Sequence, residues 1–293
     1  MPNPIDKFLN GITMYRLMLY VLCAMSAVGI LLSFAGVLSL SGPWMLASFA
    51  TISLACYVSS AFFARLFKVV RNAESSAITA LILFLILFVP SNLRELVLVA
   101  FVGFLAMASK YLLTIGERHV FNPAAFGAFA AGFVGLGASW WVGTPAMLPV
   151  VAIGGFLVVR KTRRFLAVVF PFLLVSLLYA TKSTTLADAL LSWPLVFFAT
   201  VMLTEPMTLA ERKSGQIFGA ILTAILVSIP FRLGPLYSSP ELALLVLNLA
   251  SRKRLHRLKL VEKTEIAPGT FEFAFQSNRP TKFVAGQFFD WTL

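Results

Sequence analysis

Few side chains in this chain can do chemistry, and they fall into clusters at the edges of apolar blocks. Thr204-Glu205-Pro206-Met207-Thr208 sets a carboxylate between hydroxyls in a turn that proline enforces. Such a carboxylate can orient the polar edge of a ligand or carry a proton, with Thr204 and Thr208 as flanking donors; a solvated turn is the plainer reading. Glu74-Ser75-Ser76-Ala77-Ile78-Thr79 opens another block, and a helix start with hydroxyls at Ser76 and Thr79 suits an anion or phosphate. An ordinary helix cap explains the same residues. Lys110 follows Ser109 near the end of a span, where it either meets negative charge inside the protein or snorkels to the interface. Arg118-His119-Val120-Phe121-Asn122-Pro123-Ala124-Ala125-Phe126-Gly127 comes next: Asn122 can cap a helix that Pro123 begins. The small residues after it permit close helix packing or the approach of a flat ligand. Thr144 lies in Gly143-Thr144-Pro145, just after the interfacial pair Trp140-Trp141. With two histidines, and two cysteines (Cys23 and Cys56) inside apolar blocks without metal-type spacing, no metal centre is expected.

The elements that position these clusters must be membrane helices. Hydrophobic residues make up 59% of the 293-residue chain and charged residues 12%, with a mean hydropathy of +0.89. Ordinary globular domains carry roughly a quarter charged residues. We read about ten spans, at 17–38, 45–64, 76–90, 95–113, 123–136, 145–159, 165–180, 188–203, 215–231 and 239–250. Short blocks that open with proline, after Phe121 and after Ser239, suggest half-membrane helices lining a protein interior. The polar stretch Pro2–Asn10 and the length of the first block argue against a cleavable signal.

Charge gives an orientation. A cytoplasmic N-terminus places Lys7, Arg16, the Arg65–Arg71 cluster, Lys110, Arg118, Arg160–Arg164, Arg212, Lys213 and Arg252–Arg254 inside, and only Arg94, Lys182 and Arg232 outside. The expectation is a multi-pass protein of the inner (cytoplasmic) membrane with both termini cytoplasmic. The net charge of +12 then reflects topology and anionic lipid, and no nucleic-acid partner is expected.

The domain map expected is a cytoplasmic segment 1–15, a membrane domain 16–251, a basic linker 252–257 and a soluble β segment 258–293. Residues 258–261, 270–275 and 287–291 alternate as strands do, with turns at Ala267-Pro268-Gly269 and Ser277-Asn278-Arg279-Pro280.

Ser75–Pro90 (SSAITALILFLILFVP), Ala108–Leu112 with Lys110, and His119–Gly127 (HVFNPAAFG), followed by Thr204-Glu205-Pro206 and Lys213-Ser214-Gly215-Gln216, together carry a resemblance. They resemble the RnfD/NqrB family, the related membrane components of the Rnf electron-transport complex and of the sodium-translocating NADH:quinone oxidoreductase, and resemble both equally. The resemblance implies an all-α polytopic fold of about ten helices in two five-helix inverted repeats. It also implies FMN or riboflavin within the membrane, held around Ser76, Thr79, Lys110, His119, Asn122, Thr144, Thr204 and Thr208, with Glu205 as the catalytic acid or base. Two departures stand out. Glu205 replaces the family's usual Asp, and no Ser-Gly-Ala-Thr motif for covalent FMN stands between Gly127 and Gly155; Thr144 is the nearest hydroxyl.

The tail, with Phe283-Val284-Ala285-Gly286-Gln287-Phe288, resembles the opening of a ferredoxin-reductase type FAD-binding barrel. That resemblance implies FAD in the complete soluble domain, which extends past Leu293. The function expected is transmembrane electron transfer from an NAD(P)H/FAD reductase module through membrane flavin. Expected partners are other subunits of an electron-transport complex or the fused reductase, membrane lipids, and quinone. The alternative is a transporter or channel for a flavin or small cation without redox chemistry.

Overall fold

The computed structural model describes residues 4–115, 118–182, 185–192, 194–205, 209–210, 212–234, 236–251 and 258–277. They form two compact units that divide after Arg252.

The first unit is helical. Its order is α1 (Pro4–Asn10), α2 (Met14–Phe34), α3 (Gly42–Leu66), α4 (Ala73–Ile86), α5 (Leu93–Leu112), a hairpin of β1 (Thr114–Ile115) and β2 (Arg118–His119), and α6 (Pro123–Phe133). Two 3₁₀ turns, Trp141–Gly143 and Pro145–Met147, lead into α7 (Leu148–Thr162). A π-turn, Phe165–Val169, leads into α8 (Phe170–Ala180). Then come α9 (Leu186–Ser192), the short α10 (Leu195–Phe197) with a second π-turn (Phe198–Met202), α11 (Lys213–Ser228), a hairpin of β3 (Arg232–Leu233) and β4 (Leu236–Tyr237), and α12 (Pro240–Ala250).

Every apolar block thus contains a helix. Four helical segments, Met14–Phe34, Gly42–Leu66, Leu93–Leu112 and Pro145–Thr162, are long and apolar enough to cross a bilayer. Outward faces are apolar too: Leu166 is 75% exposed and Phe218 67%, which water would disfavour and lipid would not. The chain is a membrane protein.

The remaining apolar helices are shorter, and the expected span at 76–90 ends early. α4 stops at Ile86 after 14 residues, about 21 Å of rise against a hydrocarbon core of about 30 Å. Pro90 disfavours helix in the residue before it, so the chain unwinds over Leu87–Val89. The carbonyls this frees lie inside the protein and need donors. A single loop supplies them. Trp141 Nε1 donates to Phe84 O at 2.9 Å, the backbone N–H groups of Ser139 and Trp140 each reach Ile86 O at 2.9 Å, and Ser139 Oγ donates to Leu87 O at 3.1 Å. Trp140 adopts a left-handed conformation (φ 50°) to make this turn.

The two proline-opened helices form a pair that hydropathy alone did not resolve. α6 and α12 are each 11 residues long, about 16 Å, and each follows a hairpin with two-residue strands. Each starts with a side-chain cap and a proline: Asn122 Oδ1 accepts from Ala125 N at 3.0 Å, and Ser239 Oγ accepts from Leu242 N at 3.3 Å. They lie antiparallel. Asn122 N donates to Asn248 Oδ1 at 2.8 Å, so the start of α6 meets the end of α12. At the other end, a Cβ on Gly132 would stand 3.4 Å from the Tyr237 hydroxyl.

Close approach of helices sets the core. A Cβ on Gly219 would stand 2.6 Å from Leu247, and one on Gly155 would collide with Thr200, so α11 meets α12, and α7 meets the second π-turn, only through glycine. Phe84 packs edge-on against Phe49 and against Trp141, both at 5.3 Å.

The second unit is the antiparallel hairpin β5 (Leu258–Ala267) and β6 (Thr270–Ser277), longer on both strands than the alternation alone indicated. Its turn is Pro268-Gly269, with Gly269 at φ 74°. Phe271, Phe273 and Phe275 share one face opposite Glu265, Lys263 and Leu260, and Lys263 Nζ lies 4.3 Å from the centre of the Phe271 ring. The third strand expected at 287–291 and the basic linker lie outside the described residues.

Candidate functional site

The chemistry-bearing residues gather where α6 begins. Asn122 sits at its N-cap because its amide oxygen can bond a free helical N–H while Pro123 needs none. That leaves the amide nitrogen, and Asn122 Nδ2 donates to Glu205 Oε2 at 2.6 Å. Glu205 arrives there from the second π-turn. Thr200 Oγ1 donates to Val196 O at 2.7 Å and Thr204 Oγ1 to Thr200 O at 2.6 Å, a ladder of hydroxyls that satisfies carbonyls as the helix widens and ends. Arg164 Nη1 donates to Thr204 O at 2.9 Å and fixes the end of this segment against the start of the first π-turn.

Lys110 adds the positive charge. Its Nζ donates to Ser75 Oγ at 2.9 Å, and it feels the charge of Glu205. Ser75 is held in turn by α4's own cap, its N–H donating to Asn72 Oδ1 at 2.9 Å. Asn248 completes the cluster from α12: it is 3% exposed, its oxygen holds Asn122 N, and its amide nitrogen has no hydrogen-bond partner among the described residues. Two hydrogen-bonded sets result, Ser75–Lys110 from α4 and α5 and Glu205–Asn122–Asn248 from the end of the second π-turn, α6 and α12, with Lys110 in electrostatic reach of Glu205.

The expected site residues divide against this geometry. Lys110, Asn122 and Glu205 come together, and Thr204 lies beside them with its hydroxyl spent on Thr200 O. Ser76 and Thr79 are buried, but their hydroxyls donate to Ala73 O at 2.9 Å and Ser75 O at 3.0 Å, so each serves its own helix. The hydroxyl that meets Lys110 is Ser75. His119 stands in β2 opposite Thr114, three residues before Asn122. Thr144 stands apart: with Val142, Leu148, Val151, Leu190, Pro194 and Phe197 it lines a cavity of about 10 Å³, and its buried hydroxyl has no hydrogen-bond partner among the described residues. Thr208 lies outside the described residues, as do Ser183 and Thr184.

No protein-family model matches the chain, and neither does any curated protein. The cluster must speak through its own chemistry.

That chemistry is specific on one point and restrictive on another. A buried amide nitrogen without an acceptor is costly, about 1–3 kcal/mol, so the unfilled capacity at Asn248 is for an acceptor. The small residues after Asn122, however, serve packing. A Cβ on Gly127 would lie 2.9 Å from Ala106 Cβ and 3.2 Å from Leu83, so α6 is pressed onto α5 and α4 there. A flat ligand is accommodated along another side of the cluster or not at all. Sequence reasoning missed Asn248, although a polar amide inside an apolar block is itself the signal.

Proposed function

We propose that this chain is the membrane part of an electron-transfer flavoprotein, related in design to the RnfD/NqrB family. On this reading α2–α6 and α7–α12 are two inverted repeats, and FMN or riboflavin binds at the cluster around Asn122. The observation that carries the reading is the buried amide nitrogen of Asn248, which has no acceptor among the described residues and belongs to the same side chain that holds Asn122 N. A ring with carbonyl oxygens and a polar or phosphate edge supplies the acceptor it lacks. The repeat is supported by the matched hairpin, cap, proline and 11-residue helix that build α6 and α12, and by their antiparallel packing.

A bound flavin would supply one- and two-electron chemistry. The protein's own residues do the rest. Lys110 offsets negative charge at the polar edge, Asn248 Nδ2 donates to a ring carbonyl, and Glu205 holds the Asn122 amide and offers its carboxylate as a proton acceptor at the boundary of the helical unit. The hairpin 258–277 is the start of an FAD-binding barrel in this scheme. Electrons come from that reductase or from partner subunits in this scheme. The cluster end of the unit faces the cytoplasm of a cell whose inner membrane it occupies, since the basic residues concentrate there.

Two measurements test this. The purified full chain should show a flavin absorption band that dithionite bleaches. Asn248→Leu and Lys110→Met should each weaken flavin retention about tenfold, the effect of losing one buried hydrogen bond of about 1.4 kcal/mol. A colourless protein that takes up a flavin or a small cation would instead favour the transporter reading, which the antiparallel half-helices also support. A cysteine placed in the Arg160–Arg164 loop should be labelled only in permeabilised cells; labelling of intact cells reverses the orientation.

A further inference from the structure

The antiparallel pair α6 and α12 has a second polar end, which the flavin reading does not use. Glu241, in the first turn of α12, is buried, with 3% of its surface exposed. Its Oε2 accepts from Trp140 Nε1 at 3.3 Å. Trp140 is held rigidly, because its backbone N–H caps the unwound end of α4 at Ile86 O and its ring packs edge-on against Phe197 and Phe198, at 6.4 and 5.9 Å. The Ser239 hydroxyl and the helix's own first N–H also face the carboxyl.

No cation balances it. Among the described residues no lysine or arginine is ion-paired to Glu241. The titratable group facing it is Tyr237 of β4; Arg232 stands opposite Tyr237 in the hairpin without an ion pair to the carboxyl. An apolar cavity of about 170 Å³, lined by Phe172, Pro194, Leu195, Phe198, Val227 and Pro240, adjoins the first turn of the helix. The helix start and the indole offset only part of the cost of an anion there.

A carboxyl with 3% of its surface exposed, met by neutral donors and ion-paired to no lysine or arginine among the described residues, is favoured as the neutral acid unless a cation joins it. A metal cation needs several oxygen ligands. The neighbouring hydroxyl, Ser239 Oγ, already accepts from Leu242 N, and the other near polar atom is an indole N–H, which repels cations. A proton needs only one oxygen. We propose that Glu241 is a proton-binding site, taking up H⁺ to form a neutral carboxylic acid at the end of the half-helix pair opposite Glu205. The O–H bond forms on a carboxyl oxygen as an O–H bond of a hydronium ion from the solvent breaks and leaves water, and Trp140 is the positioning residue that keeps the acid's carbonyl oxygen bonded. The molecule then holds a transferable proton about one half-helix, roughly 16 Å, from the Glu205 cluster.

Infrared spectra of the full chain in lipid vesicles, with its glutamates ¹³C-labelled, decide this. They are recorded without flavin or reductant, so absence of bound flavin would sink the function proposed above and leave this result standing. Near neutral pH, the wild type and Glu205→Gln should show a protonated-carboxyl C=O stretch that shifts in D₂O and moves on ¹³C labelling, and Glu241→Gln should lack it. A wild-type spectrum without that band, or its persistence in Glu241→Gln, overturns the proposal. Should Glu241→Gln not insert, Trp140→Phe decides the same question. Removing the indole donor should raise the carbonyl frequency, and an unmoved band means the proton is elsewhere.

Discussion

The two ends of the α6/α12 pair are built alike and charged differently. At the start of α6 the carboxylate comes from another segment: Glu205 reaches in from the second π-turn, bonds the capping amide of Asn122, and has Lys110 within electrostatic reach. At the start of α12 the carboxyl belongs to the half-helix itself, and Glu241 meets a neutral indole. The sequence carries the same contrast where the two short segments unwind. Leu203-Thr204-Glu205-Pro206 has its acid where Leu87-Phe88-Val89-Pro90 has a valine. One backbone device thus yields a compensated polar cluster at one end and an isolated acid at the other. Compensation suits a fixed binding site; isolation suits a group that gains and loses a proton.

The largest effect that tests this difference is the loss of the two caps. Asn122→Leu removes a helix cap, worth about 1 kcal/mol, and takes a donor from a partly buried carboxylate, worth about 1–3 kcal/mol more. Ser239→Ala removes a cap, worth about 1 kcal/mol, and a hydroxyl that faces Glu241, but Glu241 keeps the Trp140 indole and its own N–H as donors, so the smaller loss is expected there. Unfolding of both variants in detergent measures the gap. Equal losses would mean that Glu205 gains nothing from Asn122, and the two ends would be energetically the same.

Charge coupling gives a smaller and sharper measure. In a double-mutant cycle, Glu205→Gln and Lys110→Met should show an interaction energy of about 1 kcal/mol, since the Glu205 charge acts on Lys110. Glu241→Gln paired with Lys110→Met should be additive within about 0.5 kcal/mol, because no contact links those positions. Coupling at Glu241 of the same size as at Glu205 would show that the second acid is compensated after all.

How far these features were legible in the chain depends on their range. Apolar blocks marked the helices from α2 to α12 but not α1, which lies in the polar segment before them, and Asn122-Pro123 and Ser239-Pro240 marked the half-helix starts, because caps and prolines act within a few residues. The early end of α4 was hidden, since the apolar run continues to Val89 and only the 137–141 loop reveals that the carbonyls near Ile86 are bonded from outside the helix. The two-residue hairpins are too short for an alternating pattern. Asn248 and Glu241 sat in plain view as polar residues in an apolar block, but their partners, Asn122 and Trp140, lie more than 100 positions away. Such contacts leave no local trace, and the small residues after Asn122 read equally as a ligand slot or as helix packing until Gly127 was seen against Ala106.

The smallest expected effect concerns how the Glu205 end is tied down. Three contacts fasten it: Arg160 bonds both Asp6 oxygens, at 2.7 and 2.9 Å, Lys161 Nζ donates to Leu9 O at 2.6 Å, and Arg16 pairs with Glu74 at 3.3 Å. Among the described residues, no ion pair fastens the Glu241 end. The hydrogen bond from Arg160 holds the Asp6 carboxyl below its ordinary value. A carboxyl whose value is lowered on folding stabilises the fold above the unfolded-state value, near pH 4, and loses that contribution as pH falls through the lowered one. The anchoring of α1 should therefore be constant at neutral pH and weaken only in acid. The pair is exposed, so the change is slight and screened by salt. Limited proteolysis within α1 should quicken below about pH 4 in the wild type, while Asp6→Asn should be cut at one faster rate at every pH. A wild-type rate that does not change with pH would mean that Leu9 and Lys161 alone hold α1, and that the two ends differ in their acids but not in how they are fastened.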